Sequence, residues 1–521
     1  MRIFHFDFNH LRLRREVVRD LLPQIAALGY DAILWELENQ VAWDTCPECA
    51  TPESWSKAEF AELLAESRAL GLEPIPLLQT IGHGEYVMSH LRYHAFREHP
   101  DFSDCYCTSN PAVREFLIRW IDEYRELFGP LRYFHLGGDE AYRFGSCPAC
   151  AARDRMALYA EHMGALAARL VAAGVRPGFW CDMILAHPQQ LDAIPHDFLI
   201  WDWNYADGIE PPASIRVWGR GVVTRDAVTP ELMRELPDLL NAAGEFNAFY
   251  ATHTLRRCGF DVVLCSTARS AVDGPFTPNT IVHASNVVGA ERTCARLGLV
   301  GHCVTSWAIR LNPLRLGLPL MALPAAVAAA PQADPATWRR EVSQAHFGFA
   351  EGLDVADLIS RANSRLRSFS ALQWTGLKDA QPAPQGFLAG RIVRWTAEQE
   401  PWWTGRDAML DDMRASVAKG LAQMTPHVGT SPLAADWVEA GRLEIDYLDL
   451  VQAIFTPNHD TVHLRQRLRD FAERLVHFYD REQCPLSARH NVGLIVDPLD
   501  DYLAHPTGVG DAGQPGGKRG R

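Results

Sequence analysis

The chain has 521 residues, 47% of them hydrophobic and 22% charged, which is typical of a globular protein with more than one packed core. Its net charge of −14 is spread along the chain without a basic stripe, so nucleic acid is excluded as the expected partner and an uncharged ligand is favoured. No apolar run has membrane-spanning length, and residues 1–28 lack a secretory pattern. We therefore expect a cytoplasmic protein without membrane contact, whose twelve cysteines are mostly reduced thiols or metal ligands.

Short β-branched or aromatic runs alternate with longer amphipathic segments from residue 2 to about residue 325. Eight strands are predicted, at residues 3–8, 32–37, 74–79, 132–136, 178–181, 198–203, 261–265 and 300–305. Helices are predicted at residues 16–28, 57–70, 111–128, 156–173, 230–242 and 278–297. This α/β pattern predicts a (β/α)8 TIM barrel over residues 1–325, with its active site at the carboxyl ends of the strands.

An Ala/Pro-rich stretch at residues 323–335 predicts the end of the barrel. Beyond it, residues 336–503 form a predicted α-helical C-terminal region, with periodic segments at residues 355–369, 408–424, 435–455 and 461–478. This region has no catalytic motif, so we expect it to support the barrel or to form a homo-oligomer contact. Residues 508–521 are rich in glycine and poor in apolar side chains, and we expect them to be disordered.

The fourth predicted strand ends in two glycines followed by two adjacent acids, Asp139 and Glu140. Adjacent side chains leave a strand in different directions, so the two carboxylates can occupy different environments. One could then donate a proton while the other stays ionised beside a developing positive charge. An isolated acid pair more often caps a helix or binds a surface cation, but the end of a barrel strand is where catalytic groups lie.

Polar and aromatic side chains also follow the other predicted strands, at Asp7, Glu36, Glu38, Gln79, His83, Trp180, Asp182, Trp201, Trp203, Tyr205, Asp207, Trp307 and Arg310. Any single tryptophan among them is as well explained by core packing, since tryptophan is highly buried on average. A tyrosine that packs in a loop and a histidine with a structural role are equally ordinary. Four tryptophans at strand ends together favour the wall of a pocket.

The segment from His135 to Glu140 reads His-Leu-Gly-Gly-Asp-Glu, and here the chain resembles glycoside hydrolase family 20, the β-N-acetylhexosaminidases, whose fourth strand carries His-x-Gly-Gly-Asp-Glu. The resemblance extends over residues 1–325 and is strongest to the compact hexosaminidase D type, on the runs at residues 75–83 and 107–111. It implies substrate-assisted cleavage of a terminal N-acetylhexosamine, in which the sugar's 2-acetamido oxygen is the nucleophile and no organic cofactor takes part.

The resemblance also implies roles for individual residues. Glu140 would be the general acid and then the general base, and Asp139 would hold the acetamido N–H and stabilise its positive charge. Tyr205 and Asp207 match a Tyr-x-Asp element whose tyrosine orients the acetamido oxygen. The tryptophans would enclose the acetamido methyl group, and His83 matches an active-site histidine.

The first strand departs from the better-known family members, because it has no arginine to hold sugar hydroxyls. We expect Asp7, Glu38 or Arg310 to take that part. The choice between GlcNAc and GalNAc therefore stays open, since the two sugars differ at one hydroxyl.

Two Cys-x-x-Cys pairs, Cys46 with Cys49 and Cys147 with Cys150, follow the second and fourth predicted strands. Each pair alone could be redox-active or two free thiols. Together they have the spacing of a structural Cys₄ zinc site, which would brace loops on the active-site face.

Two other interpretations remain open at this stage. The same barrel could cleave a sugar without an acetamido group through an enzyme carboxylate nucleophile. Alternatively, the chain could be a zinc-braced carbohydrate-binding protein without catalytic activity.

Overall fold

The computed structural model describes residues 1–9, 11–308, 311–361, 406–454, 456 and 459–504. The strands within these ranges are β1 (Arg2–Asp7), β2 (Ala32–Glu36), β3 (Glu73–Leu77), β4 (Tyr133–His135), β5 (Arg176–Trp180), β6 (Leu199–Trp203), β7 (Ser214–Val217), β8 (Gly221–Thr224), β9 (Asp261–Arg269) and β10 (Gly301–Ser306). The helices around the barrel are α1 (Arg15–Ala27), α2 (Lys57–Ala69), α3 (Glu85–Met88), α4 (Pro111–Phe128), α5 (Arg155–Val171), α6 (Asp182–Leu185), α7 (Pro230–Glu235), α8 (Tyr250–Arg257), α9 (Thr280–Leu297) and α10 (Leu318–Ala329). The C-terminal helices are α11 (Pro335–Phe347), α12 (Gly352–Ser360), α13 (Arg406–Met424), α14 (Pro432–Ile454), α15 (Thr461–Asp480) and α16 (Pro485–Ala504).

Eight parallel strands close into a barrel in the order β1-β10-β9-β6-β5-β4-β3-β2. Every neighbouring pair in this order is parallel, including β1 with β10, which closes the ring. The predicted TIM barrel is therefore confirmed, and each of the eight predicted strands overlaps one strand of the barrel. The carboxyl ends of all eight strands consequently lie on one face.

Local sequence explains where several helices begin. Asn110 precedes α4, its side-chain oxygen accepts a hydrogen bond from the Ala112 N–H at 3.0 Å, and Pro111 occupies the first helical turn. Ser56 and Glu59 form a reciprocal capping box at the start of α2. These signals are local, and both helices begin where the sequence predicts them.

Several features differ from the predicted element pattern. Helix α10 extends to Ala329, inside the predicted boundary at residues 323–335, because its apolar residues are buried against the barrel. The strands β7 and β8 form a separate antiparallel sheet in the loop after β6. Helix α7 ends at Glu235, seven residues before the predicted end, and α16 was not predicted. The end of the helix predicted at 355–369 and the tail at 508–521 lie outside the described residues.

The C-terminal helical region packs against the face of the barrel where the strands end. The Tyr479 hydroxyl donates to the Pro275 carbonyl after β9, and Glu53 after β2 accepts hydrogen bonds from the backbone of Leu486 and Ser487. Leu13, after β1, forms an isolated bridge with Gln483. The helical region thus supports the barrel, as one of the two predicted roles requires. None of the helices in the described residues is both long enough and apolar enough to cross a membrane.

Glu482 makes the most concentrated polar contact between the two regions. Its carboxylate accepts hydrogen bonds from the backbone N–H groups of Leu314 and Arg315, at 2.7 and 3.0 Å, and pairs with the Arg315 guanidinium at 3.0 Å. Glu482 is buried, so these donors have little access to water.

We expect Glu482→Ala to lower the free energy of unfolding by about 3 kcal/mol, because it leaves buried donors without their acceptor. The control is Asp446→Ala, which removes an exposed ion pair with Arg474 and should cost less than about 1 kcal/mol. Urea denaturation followed by circular dichroism measures both values. Equal losses in the two variants would contradict the anchoring role of Glu482.

Candidate active site

The turn after β4 carries the two adjacent acids. Gly137 and Gly138 adopt positive φ angles of 64° and 88°, a region that glycine enters without steric cost. A Cβ atom on Gly137 would overlap the Gln79 side chain and lie 2.9 Å from the Gln79 Cα atom. The glycines therefore allow the turn to lie directly against the end of β3, and this position determines where Asp139 and Glu140 point.

His83, from the loop after β3, faces both acids. Its Nε2 atom lies 3.3 Å from Asp139 Oδ2 and 3.6 Å from Glu140 Oε2. The side chain of Asp139 is 9% exposed and that of Glu140 is 25% exposed. The Tyr142 hydroxyl donates a hydrogen bond to Glu140 Oε1 at 2.7 Å, a contact that the sequence did not predict. The structure thus brings three predicted site residues together and gives the two acids unequal access to solvent.

Backbone strain is concentrated at the same place. Glu38, His83 and Glu140 have φ angles of 40°, 54° and 45°, which non-glycine residues rarely adopt. They follow β2, β3 and β4, three neighbouring strands of the barrel. Such conformations persist only where the surrounding structure enforces them, and they occur preferentially at functional sites. The sequence gives no signal for this strain, because glycine is absent from all three positions.

Asp182, at the start of α6, lies behind the acid pair. Its Oδ2 atom accepts a hydrogen bond from the Glu140 N–H at 2.9 Å, and its Oδ1 atom accepts one from Trp203 Nε1 at 3.3 Å. Burial, reinforced by the charge of Asp139, raises the pKa of Asp182 to about 8. Asp182 thereby connects the turn that carries the acid pair to the aromatic side chains after β6.

Those aromatic side chains form a continuous set of ring contacts. Trp203 stacks on Tyr205 with centroids 5.3 Å apart, Tyr205 contacts Trp307 at 6.3 Å, and Trp307 contacts Trp180 at 5.9 Å. Trp203 and Trp307 are half-buried, whereas Trp180 is fully buried. Trp201 lies deeper, against Trp180 in the barrel core. Four predicted aromatic residues thus form one wall, and the fifth packs beneath it.

A buried polar layer lies under the site. His5 Nε2 is 3.0 Å from one oxygen of Glu36, and Gln79 Nε2 donates to the other oxygen at 2.9 Å. Burial raises the pKa of Glu36 to about 7 and lowers the pKa of His5 to about 4. Glu36 and Gln79 were predicted as site residues because they lie at the ends of strands. His5 was not predicted, because it lies inside β1, where a polar residue gives no such signal.

Several buried polar atoms of the site have no hydrogen-bonding partner among the described residues. Among them are Asp139 Oδ1, Gln79 Oε1 and Trp180 Nε1. Buried polar groups are nearly always paired, so unpaired ones call for an external partner. Of these atoms, Asp139 Oδ1 belongs to the acid pair and can accept from a donor group of a bound ligand.

Two other predicted ligand-binding residues make structural contacts. Asp7 accepts hydrogen bonds from the backbone N–H groups of Asn9 and Ala308, both at 2.7 Å, and so connects the ends of β1 and β10. Asp207 accepts from Asn204 Nδ2 and from the Phe249 N–H, both at 2.8 Å, within the loop after β6.

The remaining two predicted ligand-binding residues are Glu38 and Arg310. Glu38 is buried after β2. Arg310 lies outside the described residues.

The predicted set of four cysteines is not brought together as a metal site. Cys46 and Cys49 are bonded to each other through their sulfur atoms. Cys147 and Cys150 instead lie beside Cys107 and Glu98, with all four ligand atoms within 4.8 Å of one another. The prediction was wrong in pairing the two Cys-x-x-Cys elements, because the loop after β3 occupies the position beside Cys147.

Fold and site together define a (β/α)8-barrel protein with paired carboxylates after the fourth strand and an aromatic wall at the same face of the barrel. No family model matches the chain. Hexosaminidase D of Homo sapiens is 30% identical over 221 residues, which cover 39% of this chain and 45% of that protein. Hexosaminidase D of Bos taurus is 29% identical over 221 residues, which cover 39% of this chain and 63% of that protein. The chain thus spans about half the length of these relatives.

These matches confirm the resemblance to the family 20 hexosaminidases of the hexosaminidase D type. Among solved structures, the GH20 β-N-acetylhexosaminidase of Streptomyces coelicolor A3(2) aligns with a TM-score of 0.45 at 17% identity. That alignment covers 66% of this chain and 67% of the Streptomyces chain.

We expect Gly137→Ala to lower the melting temperature and the activity together, because its Cβ atom meets Gln79 in addition to the strain of a positive φ. The matched control is Gly71→Ala, where φ is 78° and nothing lies within 4 Å of the new Cβ atom. That control should lose only about 1–2 kcal/mol for the backbone strain. Thermal denaturation of both variants measures the difference, and equal melting temperatures would contradict the close approach of the turn to β3.

The raised pKa of Asp182 predicts a pH-dependent contribution to stability. An aspartate that titrates near 4 when unfolded and near 8 when folded favours folding while it is protonated. This contribution is complete below about pH 4 and is lost progressively as the pH rises to about 8. We therefore expect wild type to lose stability relative to Asp182→Asn between pH 5 and pH 8. Urea midpoints of both proteins at each pH test this, and a constant difference would contradict it.

Proposed function

We propose that the chain is an exo-acting, retaining β-N-acetylhexosaminidase that releases a terminal GlcNAc or GalNAc by substrate-assisted catalysis. The observation that carries this proposal is the pair of adjacent carboxylates with unequal burial, Asp139 and Glu140, facing His83 at the carboxyl end of β4. The resemblance to hexosaminidase D supports the substrate class.

Glu140 is suited to proton transfer because its side chain is the more exposed of the two. It donates a proton to the leaving glycosidic oxygen and then accepts one from the attacking water. The Tyr142 hydroxyl, 2.7 Å from Glu140 Oε1, orients the carboxyl group that moves the proton. The backbone N–H of Glu140 is held by Asp182, which limits movement of the residue.

Asp139 is suited to stabilise positive charge because it is buried and held near His83. When the acetamido oxygen attacks the anomeric carbon, positive charge develops on the acetamido nitrogen and an oxazolinium ion forms. Asp139 Oδ1, which has no partner among the described residues, can accept the N–H of that group. A fixed carboxylate in a partly dry site favours such a charge more strongly than water does.

The aromatic wall supplies the enclosure that this reaction needs. The half-buried Trp203 and Trp307 offer apolar surfaces to the acetamido methyl group and exclude water from the oxazolinium ion, and the buried Trp180 packs against Trp307. Tyr205 lies between Trp203 and Trp307, in a position for its hydroxyl to orient the acetamido oxygen. Water that opens the oxazolinium ion from the other face gives net retention of configuration.

Sugar-hydroxyl recognition falls to fewer residues than the sequence suggested. Two acceptor positions of Asp7 are used by backbone N–H groups, which favours a structural role for this carboxylate. Of the other two candidates, Arg310 lies outside the described residues and Glu38 lies within them. Glu38 is held in a strained conformation next to the site, which supports a hydroxyl contact for it.

The test compares Asp139→Asn with wild type on aryl N-acetyl-β-glucosaminide and aryl N-acetyl-β-galactosaminide. We expect kcat/KM to fall by roughly 100-fold, the usual loss when one electrostatic stabiliser of a transition state is removed. Asp261→Asn is the matched control, because Asp261 begins β9 at the opposite end of the barrel and pairs with Arg176. Equal activity of the two variants would contradict the role of Asp139.

Two further arms separate this mechanism from its alternatives. An N-trifluoroacetyl substrate should react much more slowly than the N-acetyl one, because fluorine weakens the acetamido oxygen as a nucleophile. An unchanged rate, or faster turnover of a simple aryl glucoside, would favour an enzyme carboxylate as nucleophile. Sugar binding without turnover, unaffected by Glu140→Gln, would favour a carbohydrate-binding protein without catalytic activity.

A further inference from the structure

Three cysteines and one glutamate meet between the loops that follow β3 and β4. Cys107 Sγ lies 3.6 Å from Cys147 Sγ and 3.9 Å from Cys150 Sγ. Cys150 Sγ lies 3.6 Å from Glu98 Oε2. We call these four residues the Cys₃Glu cluster, and none of them takes part in the proposed reaction.

Three distances in the Cys₃Glu cluster match edges of a zinc coordination tetrahedron, and all four ligand atoms lie within 4.8 Å of one another. Zn–S bonds of about 2.3 Å at tetrahedral angles place two sulfur atoms about 3.8 Å apart. A Zn–O bond of about 2.0–2.2 Å places the oxygen about 3.5 Å from each sulfur. The observed separations of 3.6 and 3.9 Å between sulfur atoms, and of 3.6 Å between sulfur and oxygen, agree with both values.

The backbone around the cluster is built to hold these side chains. A short antiparallel pairing between Arg97 and Tyr106 holds together the two segments that carry Glu98 and Cys107. The Glu98 N–H donates to the Cys105 carbonyl and the Cys107 N–H donates to the Phe96 carbonyl, both at 2.8 Å. In the Cys-Pro-Ala-Cys segment, the Cys150 N–H donates to the Cys147 carbonyl at 3.0 Å, which directs both sulfur atoms to one side. The cluster therefore does not depend on flexible side chains alone.

Groups outside the cluster orient its ligands. Glu98 Oε1 accepts a hydrogen bond from the Cys147 N–H at 2.9 Å. The other oxygen, Oε2, is directed at Cys150 Sγ. The Ser109 hydroxyl lies 3.0 Å from Cys150 Sγ, close enough to donate to a thiolate. Such second contacts are typical of protein metal sites, where they set the direction of each ligand. Glu98 and Cys150 are buried, so a metal here would be shielded from water.

We propose that Glu98, Cys107, Cys147 and Cys150 bind one structural zinc ion. Four protein ligands leave no open position for water, so this zinc braces the structure and performs no chemistry. It joins the loop after β3, which carries His83, to the loop after β4, which carries Asp139 and Glu140. The Arg143–Asp104 ion pair at 2.5 Å connects the same two loops. Zinc binding would thus hold His83 and the acid pair at a constant separation.

The test measures metal content in the full chain, purified under reducing conditions without chelator from zinc-supplemented medium. We expect inductively coupled plasma mass spectrometry to find about one zinc ion per chain in wild type. Cys147→Ser/Cys150→Ser should lose this zinc. The matched control Cys46→Ser/Cys49→Ser also removes a Cys-x-x-Cys pair and should retain it, because Cys46 and Cys49 lie outside the cluster. Zinc lost in the control and kept in the first variant would overturn the ligand set.

A second measurement uses wild type alone and so does not depend on whether the variants fold. Alkylation with iodoacetamide, mapped by peptide mass spectrometry, is compared before and after treatment with a chelator. We expect Cys107, Cys147 and Cys150 to be protected until the chelator removes the metal. Cobalt(II) taken up in place of zinc should show the thiolate charge-transfer bands of a tetrahedral site. Equal alkylation with and without chelator, or a disulfide within the cluster, would overturn the proposal.

Discussion

The close contact between the Gly137–Gly138 turn and Gln79 is the constraint on which the candidate site depends. Because no Cβ atom fits at Gly137, the turn lies directly against the neighbouring strand end, and the chain leaves it with Glu140 in a left-handed conformation. Two consecutive carboxylates then point into different surroundings. Asp139 is buried near His83, while Glu140 stays more exposed beside Tyr142. The different surroundings of the two acids are thus a consequence of backbone geometry.

The acid groups behind this turn reduce the repulsion that the pair would otherwise meet. Burial raises the pKa of Glu36 to about 7 and that of Asp182 to about 8, so both are largely protonated in weakly acidic solution. A protonated Asp182 still accepts the Glu140 N–H and the Trp203 N–H through its oxygens. Neutral acids can therefore provide the hydrogen bonds that position the turn without adding negative charge beside Asp139. Mildly acidic conditions should favour this arrangement.

Much of the fold was predictable from sequence, because barrel strands are short buried runs that alternate with amphipathic helices. The acid pair and the aromatic wall were predictable for the same reason, since each follows a strand whose position the pattern indicates. Contacts between loops were not predictable. Cys107 lies forty residues before Cys147, and only the fold of the loop after β3 brings them together. The contact of Asp207 with the Phe249 N–H was not predictable for the same reason, because Phe249 lies in a distant part of a long loop.

The face of the barrel that carries the site is held by two separate sets of contacts. The C-terminal helices contact the loops after β1, β2, β9 and β10, through Gln483, Glu53, Tyr479 and Glu482. The loops after β3 and β4 are instead joined to each other, through the Arg143–Asp104 pair and the Cys₃Glu cluster. His83, Asp139 and Glu140 all lie on the second pair of loops. The geometry of the acids therefore depends first on local contacts between two neighbouring loops. The helical region instead contacts the segment after β10, which begins with Trp307 of the aromatic wall. A helical region without a catalytic motif can therefore still influence the site, through the segment that carries Trp307.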